Sequence, residues 1–116
     1  MRRIIGAAGI VLLMAGVAVA ASKKSKPPEP FTDAFLTAQE NIDVGGEIWV
    51  AQCAHCHGAK AYPGKAPKLK PRRYKPNFVY RRVTDGFRKM PAWKEQFTDL
   101  ERMQIVAYIL SDQFSP

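Results

Sequence analysis

Residues 53–57 read Cys53-Ala54-His55-Cys56-His57, and they contain every cysteine and every histidine of a 116-residue chain. Two thiols three positions apart on a helical turn have their Cβ atoms roughly 5–6 Å apart. That span lets them add across two neighbouring vinyl groups of one porphyrin. The histidine directly after the second thiol then lies beneath the ring, placed as proximal iron ligand, with its other nitrogen left for a hydrogen-bond acceptor. C-x-x-C-H is thus the pattern of covalent haem attachment, here of one haem through Cys53 and Cys56 with His57 on the iron. Other chemistries of this residue set are weaker. A zinc site needs about four ligands, and His55, trapped inside the same turn, is the one N/S donor left over. A redox dithiol would call for a preceding strand and a βαβ frame, and a plain disulfide would be strained across so short a turn.

The second axial ligand follows by elimination. His55 cannot reach the far face of a ring bonded to its own neighbours, so methionine remains. Met1 and Met14 belong to the N-terminal leader, leaving Met90 and Met103. Met103 falls on an apolar helical stripe, where methionine usually packs. Met90 lies in an extended segment after Gly86, stiffened by Pro91, and is the preferred ligand. The alternative is a buried loop methionine beside a five-coordinate haem.

The elements that position these groups are helical. Asp43 can cap a helix from Val44 to about Cys53, stopping in the CAHCHG run. A second helix is expected from Asn77, ended by Gly86. Thr98 and Glu101 form a capping box for a last helix running to about Asp112, with Leu100, Met103, Ala107 and Leu110 on its buried stripe and Val106 and Ile109 beside them. From His57 to Asn77 the prolines and glycines predict a loop, and a loop that long in a small domain is usually functional. No period-two alternation and no long repeat occurs.

Composition agrees with one globular domain: 47% of residues are hydrophobic and 24% charged, which excludes collagen-like, coiled-coil and wholly disordered chains. Met1-Arg2-Arg3, an apolar run and Ala18-Val19-Ala20 make residues 1–20 a signal peptide for the general secretory route, since covalent haem attachment outside the cytoplasm calls for an unfolded crossing. The alternative is an uncleaved anchor over residues 4–21. Residues 21–40, rich in proline and lysine at their start, are expected to be a linker or flexible tail, and residues 41–116 the folded domain. A domain of this size often needs a cofactor as a staple. If a porphyrin buried roughly 400 Å² of apolar surface, it would contribute on the order of 10 kcal/mol before opposing terms.

Gly45, Trp49, Cys53-x-x-Cys56-His57-Gly58, Ala66-Pro67-Lys68-Leu69, Gly86 with Met90-Pro91, and Ala107-Tyr108-Ile109 together resemble a monohaem class I cytochrome c, over about residues 41–112. The resemblance implies an all-α fold in which the first and last helices cross around the haem, with Gly45 allowing close approach and Trp49 and Tyr108 packing there. It also implies that the Pro67 carbonyl accepts from the free nitrogen of His57, and that Leu69, Tyr62, Tyr74 and Trp93 line the haem or meet its propionates. The basic loop KLKPRRYKPN and the short path from Gly64 to Gly86 depart from the family pattern.

Lys and Arg number 18 against 10 Asp and Glu, for a net charge of +8. No acidic residue lies between Glu47 and Asp85, while Lys65, Lys68, Lys70, Arg72, Arg73 and Lys75 crowd the loop. Such a one-sided field steers acidic partners and weakens with salt; a solvated loop that also neutralises haem propionates is the plainer reading. Export and haem argue against nucleic acid as the partner. Histidine and methionine ligation raises the iron's reduction potential and leaves no open coordination position, so outer-sphere electron transfer is expected rather than catalysis. The expected protein is a monomeric periplasmic carrier serving an acidic dehydrogenase or respiratory complex and an oxidase. The alternative is a haem subunit of a multi-subunit oxidoreductase for sulfur compounds or alcohols. A sensor or peroxidase with Met90 detached is a third.

Overall fold

The computed structural model describes Gly16, residues 26–28 and residues 30–115; the expected signal peptide and the alternative anchor lie outside these residues, Gly16 apart. Among the described residues there is no strand, and no helix is long and apolar enough to cross a membrane. The chain folds into helices α1 (Asp33–Thr37), α2 (Gln39–Ile48), α3 (Ala54–His57), α4 (Pro76–Asp85) and α5 (Asp99–Ile109).

Order begins earlier than the composition suggested. Thr32 caps α1 by accepting from the Phe35 amide at 3.1 Å. Phe31 packs edge-on against Phe35 at 6.2 Å and against Tyr80 at 6.1 Å. The second half of the expected 21–40 tail is therefore folded, because its aromatic residues have a core to cover. Asp43 is not a helix cap. It sits inside α2, where its carboxylate accepts from the Gln39 side chain one turn back at 2.6 Å. Packing of Ile42, Gly45 and Trp49 outweighs the local capping preference and extends the helix toward the N-terminus.

After α2 the backbone widens into one π-helical turn, Trp49–Cys53, and then continues as α3 to the terminating Gly58. Wide turns of this kind are often found at functional sites. Here the turn ends on the first thiol, Cys53. Trp49, 2% exposed, donates its indole N–H to the carbonyls of Gly58 and Ala59 at 3.1 Å each, tying the end of the cysteine turn back to the helix that leads into it.

α2 crosses α5, and the crossing is as close as backbones allow. A Cβ on Gly45 would collide with the Gln104 carbonyl oxygen and stand 2.9 Å from the Tyr108 Cβ. Trp49 and Tyr108 meet at 6.3 Å, and Phe114, beyond the helix, packs edge-on against both, at 4.7 Å and 5.4 Å. Gln104 donates across the crossing to the Asn41 side chain at 3.1 Å.

α5 opens on the expected capping box: the Glu101 amide donates to Thr98 Oγ1 at 3.2 Å, and the Thr98 amide to Glu101 Oε2 at 2.8 Å. The helix stops at Ile109 and turns through Ser111–Phe114 instead of reaching Asp112. Leu100 departs from the expected stripe. It is 55% exposed, while Arg102 is buried, ion-paired with Asp99, whose carboxylate also accepts from Tyr80 Oη at 2.9 Å. Tyr80 and Asp99 join α4 to α5 in this way, so the first turn of α5 follows its polar partners.

Candidate functional site

Cys53, Cys56 and His57 share one helical stretch. Cys53 is half-buried and Cys56 exposed, and the two are unbonded to each other. Burial, and secondarily the Cys56 thiol beside it, pushes the Cys53 thiol up to about 11. A thiol held protonated at neutral pH is a poor nucleophile. Among the described residues no group of three or more His, Cys, Asp or Glu side chains is arranged to hold a metal ion.

His57 packs its ring on Trp49 at 5.4 Å. Burial lowers its pKa and favours the neutral imidazole, the form that ligates iron. Its Nδ1 is buried without a hydrogen-bond partner. The bond that the resemblance assigns from this nitrogen to the Pro67 carbonyl is not formed: the imidazole is turned onto Trp49, and Pro67 is exposed.

The loop after the cysteine turn is anchored at several points. The Ala66 amide donates to the Cys56 carbonyl at 2.8 Å, the Leu69 amide to the Ala61 carbonyl at 3.2 Å, and the Lys70 amide to Tyr74 Oη at 2.9 Å. A short 3-10 turn, Pro71–Arg73, leads into α4. Lys65, Lys68, Lys70, Arg72, Arg73 and Lys75 are all exposed. Lys60 is different: its ammonium donates to Tyr108 Oη at 2.8 Å and to the Gln113 carbonyl at 2.6 Å, pinning the loop to α5. Tyr62 is 56% exposed, with Lys68 Nζ over its ring at 4.1 Å. Leu69, Tyr74 and Trp93 are half-buried against the core.

Met90 is also half-buried against that core, at the end of a tight reversal in which the Phe87 amide donates to the Met90 carbonyl at 3.0 Å and the Met90 amide returns to the Phe87 carbonyl at 2.9 Å. Met103 is 5% exposed inside α5. Two free thiols at attachment spacing, an imidazole that burial keeps neutral, and a thioether held at the edge of the core fit haem c as a donor set.

An all-α fold with crossing terminal helices and a C-x-x-C-H turn defines a c-type cytochrome. A family profile described as "Cytochrome C oxidase, cbb3-type, subunit III" matches residues 40–109, and the chain belongs to this family. A solved structure described as "c-type cytochrome NirC" shares the fold, with a TM-score of 0.54 and 20% identity over 68% of this chain and 98% of that one. No curated protein sequence matches the chain. As a cytochrome c, the protein serves electron transfer through haem c.

Proposed function

We propose that the protein is a single-electron carrier of the periplasm, with one haem c attached through Cys53 and Cys56, ligated by His57 and Met90, and docked on acidic redox partners through its basic loop. The observation that carries the reading is the cysteine turn, with two free thiols and a half-buried His57 whose imidazole burial keeps neutral. When bound, haem c supplies reversible one-electron exchange at an iron whose ferrous state a thioether ligand favours. The protein's own residues hold that centre and control access to it. Trp49 braces the His57 ring, and Lys60 fastens the loop that follows the attachment turn. The exposed lysines and arginines of that loop set the sign of the surface field.

Methionine ligation is tested by the weak red absorption band of ferric haem, recorded on the wild type and on Met90→Ala. The substitution is expected to abolish the band and lower the reduction potential. If the band persists, the ligand is another residue.

The surface field has its own test. Reduction by anionic ferrocyanide should slow by about tenfold as ionic strength is raised from low to physiological values. Replacing Lys68, Lys70, Arg72 and Arg73 together by glutamine should remove most of that salt dependence. An unchanged salt response in the variant would place the docking field elsewhere.

The family description names a subunit of an oxidase, and this favours a second reading, a haem c subunit held in a multi-subunit oxidoreductase. In that case the basic loop is a permanent interface, and the protein copurifies with its enzyme at high salt instead of eluting as a monomer.

A further inference from the structure

The segment from Gly86 to Trp93, which carries Met90, is fastened to the end of α4 at both of its ends. The Gly86 amide donates to the Arg82 carbonyl at 2.9 Å, and the Trp93 amide to the Val83 carbonyl at 3.0 Å. Gly86 has φ 72°, and a Cβ there would stand 2.5 Å from the Met90 carbonyl oxygen and 2.8 Å from the Ala92 nitrogen. The passing chain therefore lies directly against the glycine.

Between these ties, residues 87–90 form a two-residue hairpin whose first central residue, Arg88, has φ 54°. Hairpins with a left-handed first central residue normally place glycine there. An arginine in that conformation is strained and persists only where its surroundings over-determine it. The surroundings are visible: the Arg82 guanidinium lies over the Phe87 ring at 3.8 Å, and Arg88 approaches the same ring at 5.1 Å. Arg82 also reaches the Phe78 ring at 4.9 Å, so one guanidinium bridges α4 and the hairpin. Phe87 is 47% exposed, too open for core burial to explain its position.

We propose that Arg82 is a positioning residue for Met90: stacked on Phe87, it holds the strained 87–90 hairpin closed and thereby keeps the thioether on the iron. This rests on Met90 being the distal ligand. The planar guanidinium matters more than its charge, because a flat cation covers the ring face while an ammonium makes a point contact.

The test is displacement of Met90 by imidazole, titrated into the ferric holoprotein and read at the red band. Arg82→Leu and Phe87→Leu should each raise the apparent affinity for imidazole about tenfold, equivalent to about 1.4 kcal/mol. The double variant should do no more than either single one, since both remove one contact. Arg82→Lys, which keeps the charge, should resemble Arg82→Leu more than the wild type. Thermal midpoints from far-UV circular dichroism should stay close to wild type in all four, which separates hairpin opening from general loosening. Wild-type imidazole affinity in Arg82→Leu, or a hundredfold rise in the double variant, would overturn the positioning role. Survival of the red band in Met90→Ala would instead overturn the ligand assignment, so the two failures are distinguishable.

Discussion

Exported with both Cys53 and Cys56 replaced by alanine, the chain should fail to accumulate as folded protein, and any haem recovered with it should pass entirely into acidified organic solvent. The wild type should keep its colour through the same extraction and show the mass of the polypeptide plus one haem. The expected effect is large because the attachment turn is also a structural junction. It begins within the π-helical turn, its carbonyl at Cys56 receives the Ala66 amide, and its His57 ring is part of the packing around Trp49. Apolar burial of a porphyrin is worth on the order of 10 kcal/mol before opposing terms, against a net domain stability of about 5–15 kcal/mol. Loss of the tether thus threatens the fold itself. A wild-type mass equal to that of the unmodified polypeptide would remove the basis for the functional reading.

Gly45→Ala should be the costliest small substitution at the helix crossing. The added methyl group meets backbone, the Gln104 carbonyl, and the Cβ of Tyr108, none of which can swing aside as a flexible side-chain end would. Separating two packed helices to admit it should cost about 3 kcal/mol, at the upper end for overpacking, and lower the thermal midpoint by roughly 15 °C. Gly46→Ala is the control. Its Cβ would touch ring atoms of Tyr108 at 3.2 and 3.3 Å, and the gain in helix propensity offsets part of the contact. Midpoints measured by circular dichroism on the holoproteins decide the matter: equal midpoints for Gly45→Ala and wild type would mean that the α2–α5 crossing is looser than described.

The parts of the fold legible in advance were those written in short-range patterns. Thr98 and Glu101 announce a helix start because the two groups that satisfy each other are three residues apart. Gly86 marks the end of α4 because left-handed backbone there favours a residue without a side chain. The C-x-x-C-H turn is readable for the same reason, since its residues lie within five positions of one another.

Local preference misled where distant packing outbid it. Asp43 is a good cap residue, yet it lies inside a helix held by contacts with α5. Leu100 fits an apolar stripe, yet it faces solvent while Arg102 is buried beside Tyr80 and Asp99. Phe31 follows a stretch of prolines and lysines, yet it packs against a tyrosine far along the chain. The Lys60 clamp on Tyr108 and Gln113 spans about half the molecule, and nothing near Lys60 distinguishes it from the other basic residues of the loop.

The residue order alone was enough to specify the helical class, the thiols and imidazole at Cys53, Cys56 and His57, and the sign of the surface charge, because each depends on identities within a few positions of one another. Folding in three dimensions decided which lysine is a clamp, which arginine is buried, how tightly α2 and α5 approach at Gly45, and how the Met90 hairpin is fastened to α4. Those outcomes depend on the energies of contacts between groups far apart along the chain, and such contacts exist only once the helices have packed.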